Sequence, residues 1–471
     1  MASFILTGFS SIAQTLGSGE TGVLTNADAE LVVSGDAITT SGLSPNYIYV
    51  GGLVLANSTS AAHNAIDATG YRTEISVGPT GVLQALNGDT VSMQLTSNAY
   101  LMNAGTILSG EDAVDIRTAD EATTTHISNS GLIQGQSDGV AADAGTSNFY
   151  LINTGTIIGK AGFGVFANWQ SNSTGTSTLD NSGTIIGNAG SYTAFSGTGV
   201  DIINNAGLMV GDIYLDNNDD VYRGTSGEVQ GTVHGDEDDD LLIGGEAVDL
   251  FDGGADNDTL IGHGGDDSLE GGSGDDFILG GADNDEINGG ADNDTMNANA
   301  GDDTVYGEGG NDVLVGQDGS DLLDGGDNDD TMDGGNGDDT LEGGSGNDIL
   351  RGRAGEDDLA GGLGLDYLTG GEGADNFVFR SIGDAGIGAT RDQILDFEQG
   401  VDTIIIAGLS PGVFEFRGTA AFAPSANPEI RLNETATGST IVQIDNNGDG
   451  TIDAEIRVGG VTGLTADDFV L

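Results

Sequence analysis

The stretch that decides the fold is Gly271-Gly272-Ser273-Gly274-Asp275-Asp276-Phe277-Ile278-Leu279, a nonapeptide of the form G-G-x-G-x-D-x-U-x in which U is a large apolar residue. It stands inside a run: from Gly235 to Val378 the chain divides into 16 consecutive nonapeptides without insertion or deletion. Position six is Asp in every one, at Asp240, Asp249, Asp258, Asp267, Asp276, Asp285, Asp294, Asp303, Asp312, Asp321, Asp330, Asp339, Asp348, Asp357, Asp366 and Asp375. Position eight is apolar in every one, from Leu242 and Phe251 to Phe377. Position one is Gly except at Ala298, and position four is less strict, with Asp256, Asp283, Asp292 and Asn328 among the residues standing where Gly is usual. Asp and Asn are the side chains that best tolerate positive φ, so a glycine-type turn survives these replacements. A fixed period of this kind marks a repeat architecture.

Each nonapeptide reads as a turn followed by a very short strand. The glycines permit a tight turn that exposes carbonyl oxygens, Asp at position six closes it, and the position-eight side chain faces the interior. One apolar residue per nine is a thin core against an ordering cost of roughly 1–2 kcal/mol per residue. Electrostatics add to the difficulty, because these repeats hold 41 Asp and Glu against two Arg, a net charge of −39. Carboxylates and main-chain carbonyls are hard oxygen ligands that select Ca²⁺ over thiophilic metals. Metal-free, the segment is expected to be expanded, and cation binding and folding are expected to be a single event.

These nonapeptides resemble the RTX (repeats-in-toxin) motif of proteins exported by bacterial type I secretion. The resemblance implies a parallel β-roll with two nonapeptides per turn and each Ca²⁺ held between nonapeptides n and n+2. The implied ligands are the position-six carboxylates and carbonyls of the turns, giving about 14 interior sites for the 16 repeats.

A looser repeat lies upstream. Asn103-Ala-Gly-Thr-Ile107, Asn129-Ser-Gly-Leu-Ile133, Asn153-Thr-Gly-Thr-Ile157, Asn181-Ser-Gly-Thr-Ile185 and Asn205-Ala-Gly-Leu-Met209 recur at intervals of 26, 24, 28 and 24 residues. Weaker echoes stand at Gly22-Val23-Leu24, Gly52-Leu53-Val54 and Gly81-Val82-Leu83, and a second apolar segment follows at Ala113-Val114, Gly139-Val140, Gly164-Val165 and Gly199-Val200. Short β-prone segments on this period suit the coils of a parallel β-solenoid, with the repeated Asn forming a stacked amide ladder. The alternative with similar turns is an antiparallel sandwich.

After Val378 the nonapeptides stop. Gln393–Phe397, Thr403–Ala407 and Thr440–Ile444 read as strands of a small β cap, and helical periodicity is nearly absent throughout. The sequence therefore predicts an all-β chain in three parts: a parallel β-solenoid over 1–230, a β-roll over 235–378 and a cap over 379–471. The segments Ala374-Asp375-Asn376-Phe377-Val378-Phe379, Ile394-Leu395-Asp396-Phe397 and Gly400-Val401-Asp402-Thr403-Ile404 resemble the C-terminal domain of serralysin-type metalloproteases. The ending Asp467-Asp468-Phe469-Val470-Leu471 is similar to their type I export signal. Asp445 to Asp453 matches part of an EF-hand loop, but Ile456 stands where its bidentate Glu belongs and no flanking helices are visible, which favours a hairpin turn.

The remaining composition bounds the function. Among 471 residues there are 83 Gly, 76 Asp and Glu, 11 Lys and Arg and no Cys, for a net charge of −65. Such a charge repels nucleic acid and anionic lipid, and the lack of Cys excludes thiolate metal sites. The segment Met1–Gln14 shows no Sec-type signal, and no run of about 18 apolar residues suggests a membrane span. No catalytic residue is predicted. The four histidines (His63, His126, His234, His263) are isolated with no H-E-x-x-H, and Gly135-Gln-Ser137-Asp-Gly139 lacks the helix that a nucleophile elbow requires. The functional expectation is an extracellular or cell-surface calcium-binding structural or adhesive protein, exported by type I secretion and contacting itself, a cell surface or polysaccharide. The rival expectation is a polysaccharide-modifying or polysaccharide-binding β-helix protein carrying an RTX module; it lacks the Y-G-[FI]-D-P-H-[DE] signature of alginate epimerases.

Overall fold

The computed structural model describes residues 2–6, 8–10, 13–16, 20–24, 29–33, 36–41, 45–57, 63–118, 123–144, 148–169, 175–187, 193–196, 199–407, 414–422 and 427–471. Parts of the Met1–Gln14 stretch lie outside these residues. The chain divides into two compact units, Met1–Ala255 and Asp256–Leu471.

The first unit is a parallel β-solenoid with three strands per coil. In one coil these are Ala99–Asn103, Thr106–Ser109 and Val114–Thr118. The next coil supplies Thr124–Asn129, Leu132–Gly135 and Val140–Ala144, each paired in parallel with its counterpart. Alternation along each strand sends one row of side chains inward. Ile75, Leu101, Ile127, Leu151, Leu179 and Ile203 form one such row, and Leu83, Ile107, Ile133, Ile157, Ile185 and Met209 form another; all are buried. Parallel pairing in register through successive coils rules out the antiparallel sandwich.

The expected amide ladder is present. Asn103 Nδ2 donates to Asn129 Oδ1, Asn129 to Asn153 and Asn153 to Asn181, each at 2.8 Å, and Asn181 donates to Asn205 at 2.9 Å. The glycine two residues after each Asn has a steric reason: a β-carbon on Gly155 or Gly183 would collide with the carbonyl of the corresponding glycine one coil earlier.

Two sequence assignments shift. Gly52-Leu53-Val54 and Gly81-Val82-Leu83 align with Gly105-Thr106-Ile107 as expected. Gly22-Val23-Leu24 instead pairs with Ile48-Tyr49-Val50 in the neighbouring sheet, where Gly22 leaves room for the Phe4 ring. Gly199-Val200 also changes sheet: Val114, Val140 and Val165 share a register, but the member aligned with Val165 is Thr193, and Val200 opens a strand paired with Thr176–Asn181. Similar dipeptides begin strands on different faces of a coil, so composition alone does not separate them.

In the second unit two parallel sheets face each other, and from Thr259 to Phe377 the strands pair with those 18 residues on. Leu260, Ile278, Met296, Leu314, Met332, Leu350 and Leu368 align in one sheet, and Leu269, Ile287, Val305, Leu323, Leu341, Leu359 and Phe377 in the other. Two nonapeptides thus make one turn of a β-roll whose position-eight side chains fill the interior. The winding continues past Val378: Gln393–Ile394 pairs with Tyr367-Leu368, and Thr403–Ile406 pairs with Asn376–Phe379. The strand expected over Gln393–Phe397 is confined to Gln393–Ile394, and Leu395 is exposed. An antiparallel set, Glu429–Glu434, Thr440–Asp445 and Ala454–Val458, completes the unit.

Candidate metal centre

The turns of most nonapeptides are set by two positive-φ positions, two and four. Position four takes φ of 74°, 73°, 78° and 80° at Asp256, Asp283, Asp292 and Asn328, as their side chains allow. Position two is left-handed as well, even where it is not Gly: His263, Asn299, Glu308, Gln317 and Arg353 have φ between 67° and 86°. For long side chains such as Glu308 and Arg353 this conformation is strained, and the repeat imposes it.

These turns deliver the position-six carboxylates to one buried line per side of the roll. All sixteen predicted Asp residues are at most 4 % exposed. From Asp258 to Asp357 the backbone N–H of each donates to Oδ1 of the Asp 18 residues later: Asp276 to Asp294 at 2.8 Å, Asp294 to Asp312 at 2.8 Å and Asp312 to Asp330 at 2.8 Å on one side, Asp285 to Asp303 at 2.8 Å and Asp303 to Asp321 at 2.9 Å on the other. From Asp276 to Asp375 the other oxygen, Oδ2, is buried and receives no hydrogen bond. A buried anionic oxygen without a donor is costly and marks a place where a positive charge belongs.

A second oxygen faces the same point. A β-carbon built on Gly325, at position one, would lie 2.5 Å from Asp330 Oδ2 and 2.8 Å from the Gly343 carbonyl oxygen. The arrangement recurs at Gly271, Gly316 and Gly352, each bounded by its own Asp Oδ2 and by the carbonyl of the glycine 18 residues on. Position one is therefore Gly because two oxygens converge where a side chain would begin. Hard anionic and carbonyl oxygens with no competing N–H suit Ca²⁺. Among the described residues no three His, Asp or Glu side chains group as a metal site.

Burial pushes these carboxylates well above their usual range, offset in part by the N–H that each accepts. Asp285, Asp294, Asp330, Asp339 and Asp348 rise to about 7, and Asp276, Asp312, Asp321, Asp357, Asp366 and Asp375 to about 6. Asp249 differs from the rest. Its Oδ2 accepts the Gly245 N–H at 2.9 Å, and neither Gly245 nor Ala247 takes positive φ, so this turn closes on itself.

The ladder also includes rungs that the nonapeptide pattern does not reveal. Asp366 N–H donates to Asp392 Oδ1 at 3.0 Å, and Asp375 N–H to Asp402 Oδ1 at 3.2 Å. Asp392 is fully buried, its Oδ2 has no donor, and burial with the Asp366 charge lifts it to about 9. In the first unit Asp201 N–H donates to Asp220 Oδ1 and Asp220 N–H to Asp240 Oδ1, both at 2.7 Å. Burial is the main cause that raises Asp201 to about 8 and Asp220 to about 10. The signal that could have found all four is an Asp two residues before a buried apolar position: Ile203, Tyr222, Ile394 and Ile404.

The other motifs separate from this line. His126 is stacked between Tyr100 and Tyr150 at 5.0 Å, His63 meets Asp36 at 3.2 Å, His234 meets Asp252 at 2.8 Å, and His263 is a turn residue. Ser137 sits in the turn between strands Leu132–Gly135 and Val140–Ala144, where no helix follows. At Asp445 both carboxylate oxygens are engaged, Oδ1 by Gly448 N–H and Oδ2 by Gly450 N–H, each at 2.7 Å, so the segment is an Asx-stabilised hairpin turn.

Comparison with known proteins agrees with this geometry. A family model described as the RTX calcium-binding nonapeptide repeat (4 copies) matches residues 232–260, 261–296, 270–305, 288–323, 306–341, 333–368 and 342–377. No curated protein matches the chain. Among solved structures, the AlgE6R3 subunit of the Azotobacter vinelandii mannuronan C5-epimerase is similar at 32 % identity over 31 % of this chain and 78 % of that one, with a TM-score of 0.25. Among the described residues no helix is long and apolar enough to cross a membrane. Unbroken nonapeptides, a roll of two repeats per turn and a family match over the same residues lead to one conclusion: the chain carries RTX calcium-binding nonapeptide repeats over residues 232–377.

Proposed function

We propose that the chain is a secreted structural or adhesive protein, a component of an S-layer, surface filament or matrix, whose roll folds on meeting extracellular Ca²⁺. The observation that carries this reading is the buried line of position-six carboxylates from Asp276 to Asp375, whose Oδ2 lacks a donor. A region that needs a cation to fold can leave the cell unfolded and harden outside it. In this reading the sixteen position-six Asp residues are the charged ligands of about 14 ions, and the C-terminal residues resembling serralysin-type domains serve export. The three-part division at 1–230, 235–378 and 379–471 belongs to the same proposal.

The adhesive part is supported by the outward face of the solenoid's first sheet. Tyr47, Tyr49, Met102 and Ile152 are 40–50 % exposed there, beside the Tyr100–His126–Tyr150 stack and Arg72, which lies 4.4 Å over Tyr100. Exposed apolar side chains grouped on one face mark a contact surface. The same face favours a second reading: a groove of about 390 Å³ lined by Arg72, Glu74, Tyr100, His126 and Tyr150 offers aromatic and charged groups to a glycan.

Light scattering and electron microscopy of the purified chain, with and without millimolar Ca²⁺, test the first reading, alongside incubation with uronate polymers. Calcium-dependent multimers without unsaturated or epimerised product are expected. Monomers in calcium together with product formation overturn it in favour of the second.

A further inference from the structure

The carboxylate ladder starts before the nonapeptides do, and all of the residues concerned belong to the first unit. Asp220 is 1 % exposed; its Oδ1 accepts the Asp201 N–H, and its Oδ2 is buried with no hydrogen bond. Its own N–H donates to Asp240 Oδ1 at 2.7 Å, the link that joins successive turns throughout the repeats.

The segment Leu215–Arg223 contains no Gly and would not be read as a nonapeptide. Its backbone nevertheless follows one. Asp216 and Asn218 have φ of 69° and 92°, and Asp236 and Asp238 hold the same two places of the first nonapeptide at 79° and 77°. Tyr222 takes the position-eight place and is fully buried, paired in register with Leu242. Glu237 N–H donates to the Asp216 carbonyl at 2.9 Å, and Asn217 and Glu237 form a parallel bridge, so the two turns stack. A polar hollow of about 240 Å³ lies there, lined by Asp216, Asn217, Asp236 and Glu237. Residues 216–220 and 236–240 together hold eight carboxylates and no Lys or Arg.

We propose that a Ca²⁺-type divalent cation binds between the turns 215–220 and 235–240, held by the Asp220 and Asp240 carboxylates and by carbonyls of both turns. The proposal rests on the calcium reading of the repeats and adds a site that begins before the residues matched as repeats. Its consequence is that the last coils of the solenoid, built on Val200–Asn205 and Val221–Arg223, tighten with calcium while earlier coils do not. Leu215 stands at position one, where the repeats have Gly to leave room for converging oxygens. This site should therefore fill at higher calcium than the glycine-lined ones.

The test is hydrogen exchange of the full chain across a calcium titration, comparing the wild type with Asp220→Asn. Asn keeps an oxygen for the Asp201 N–H and removes the buried charge, so a purely structural carboxylate predicts an unchanged or improved fold. In the wild type, peptides covering 200–224 should gain about 100-fold protection once calcium exceeds the site's Kd about 100-fold, after residues 262–378 have already responded. In Asp220→Asn that gain should vanish while 262–378 still responds, and metal analysis should find one ion fewer. An unchanged calcium response at 200–224 in the variant, or none there in the wild type while 262–378 responds, overturns this site alone. A chain with no calcium response anywhere overturns both this site and the calcium reading of the repeats. The wild-type titration keeps the proposal falsifiable if the variant does not fold.

Discussion

The solenoid and the roll solve one problem with side chains that differ by a single group. Each places one buried polar residue per coil in a line, with an oxygen that accepts a backbone N–H. In the solenoid Asn153 Oδ1 accepts the Gly155 N–H at 3.2 Å and the Asn129 amide at 2.8 Å, while its Nδ2 donates to Asn181. The line is neutral and closed, because an amide both donates and accepts. In the roll Asp330 Oδ1 accepts the Asp312 N–H at 2.8 Å, and Oδ2 has no donor. A carboxylate only accepts, so the line closes only when a cation supplies the missing charge. In the function proposed above, the contrast separates a region that can hold itself together from one that waits for calcium.

Making the solenoid resemble the roll should have the largest effect. Asn153→Asp removes the donor to Asn181 and buries a charge with no cation to meet it, and should destabilise the solenoid by on the order of 3–5 kcal/mol. Urea unfolding of the variant in excess chelator measures this; a loss under about 1 kcal/mol would mean that the amide line is incidental.

Protons offer a milder way to blur the difference. In the metal-free fold burial lifts Asp276 to about 6 and Asp285, Asp330 and Asp348 to about 7, against an ordinary 3.8. The folded state then binds more protons than the unfolded one between those values, so its stability falls as pH rises through that window. In chelator the repeats should gain β-sheet circular dichroism on going from pH 7 to about 4 and lose it on return. With calcium present the order reverses, and more calcium should be needed at pH 5 than at pH 7.5, because the ligands must shed their protons. A metal-free roll indifferent to pH contradicts this part of the account.

The smallest change is made inside the roll. Asp312→Asn alters one rung among many, so the calcium midpoint should rise modestly and the ion count fall by one or two, with the solenoid unaffected. Calorimetric titration reads both quantities, and identical isotherms would remove Asp312 from the ligand set.

How much of this was legible depended on whether a signal repeats without interruption. The roll with two repeats per turn was implied by the resemblance to the RTX motif, while the period of nine in Gly235–Val378 carries the turn, the strand and the position-six line together. The Asn phrases gave the solenoid and its ladder in the same way. Asp220 and Asp392 were missed because their spacing from the next rung is 20 and 26 residues instead of 18, and their turns lack the glycine signature. The left-handed backbone at Glu308, Gln317 and Arg353 has no local signal, since stacking on neighbouring turns imposes it. Gly199-Val200 went to the wrong sheet because three strands per coil share one vocabulary of Gly followed by a β-branched residue.

The most direct test of the central contrast is hydrogen exchange of the full chain in chelator and in millimolar Ca²⁺, read peptide by peptide. The account predicts that residues 262–378 exchange as an unfolded chain in chelator and become strongly protected in calcium, while residues 73–118 are protected in both. Equal protection of 262–378 in the two conditions would contradict it, as would a solenoid that is unprotected until calcium is added.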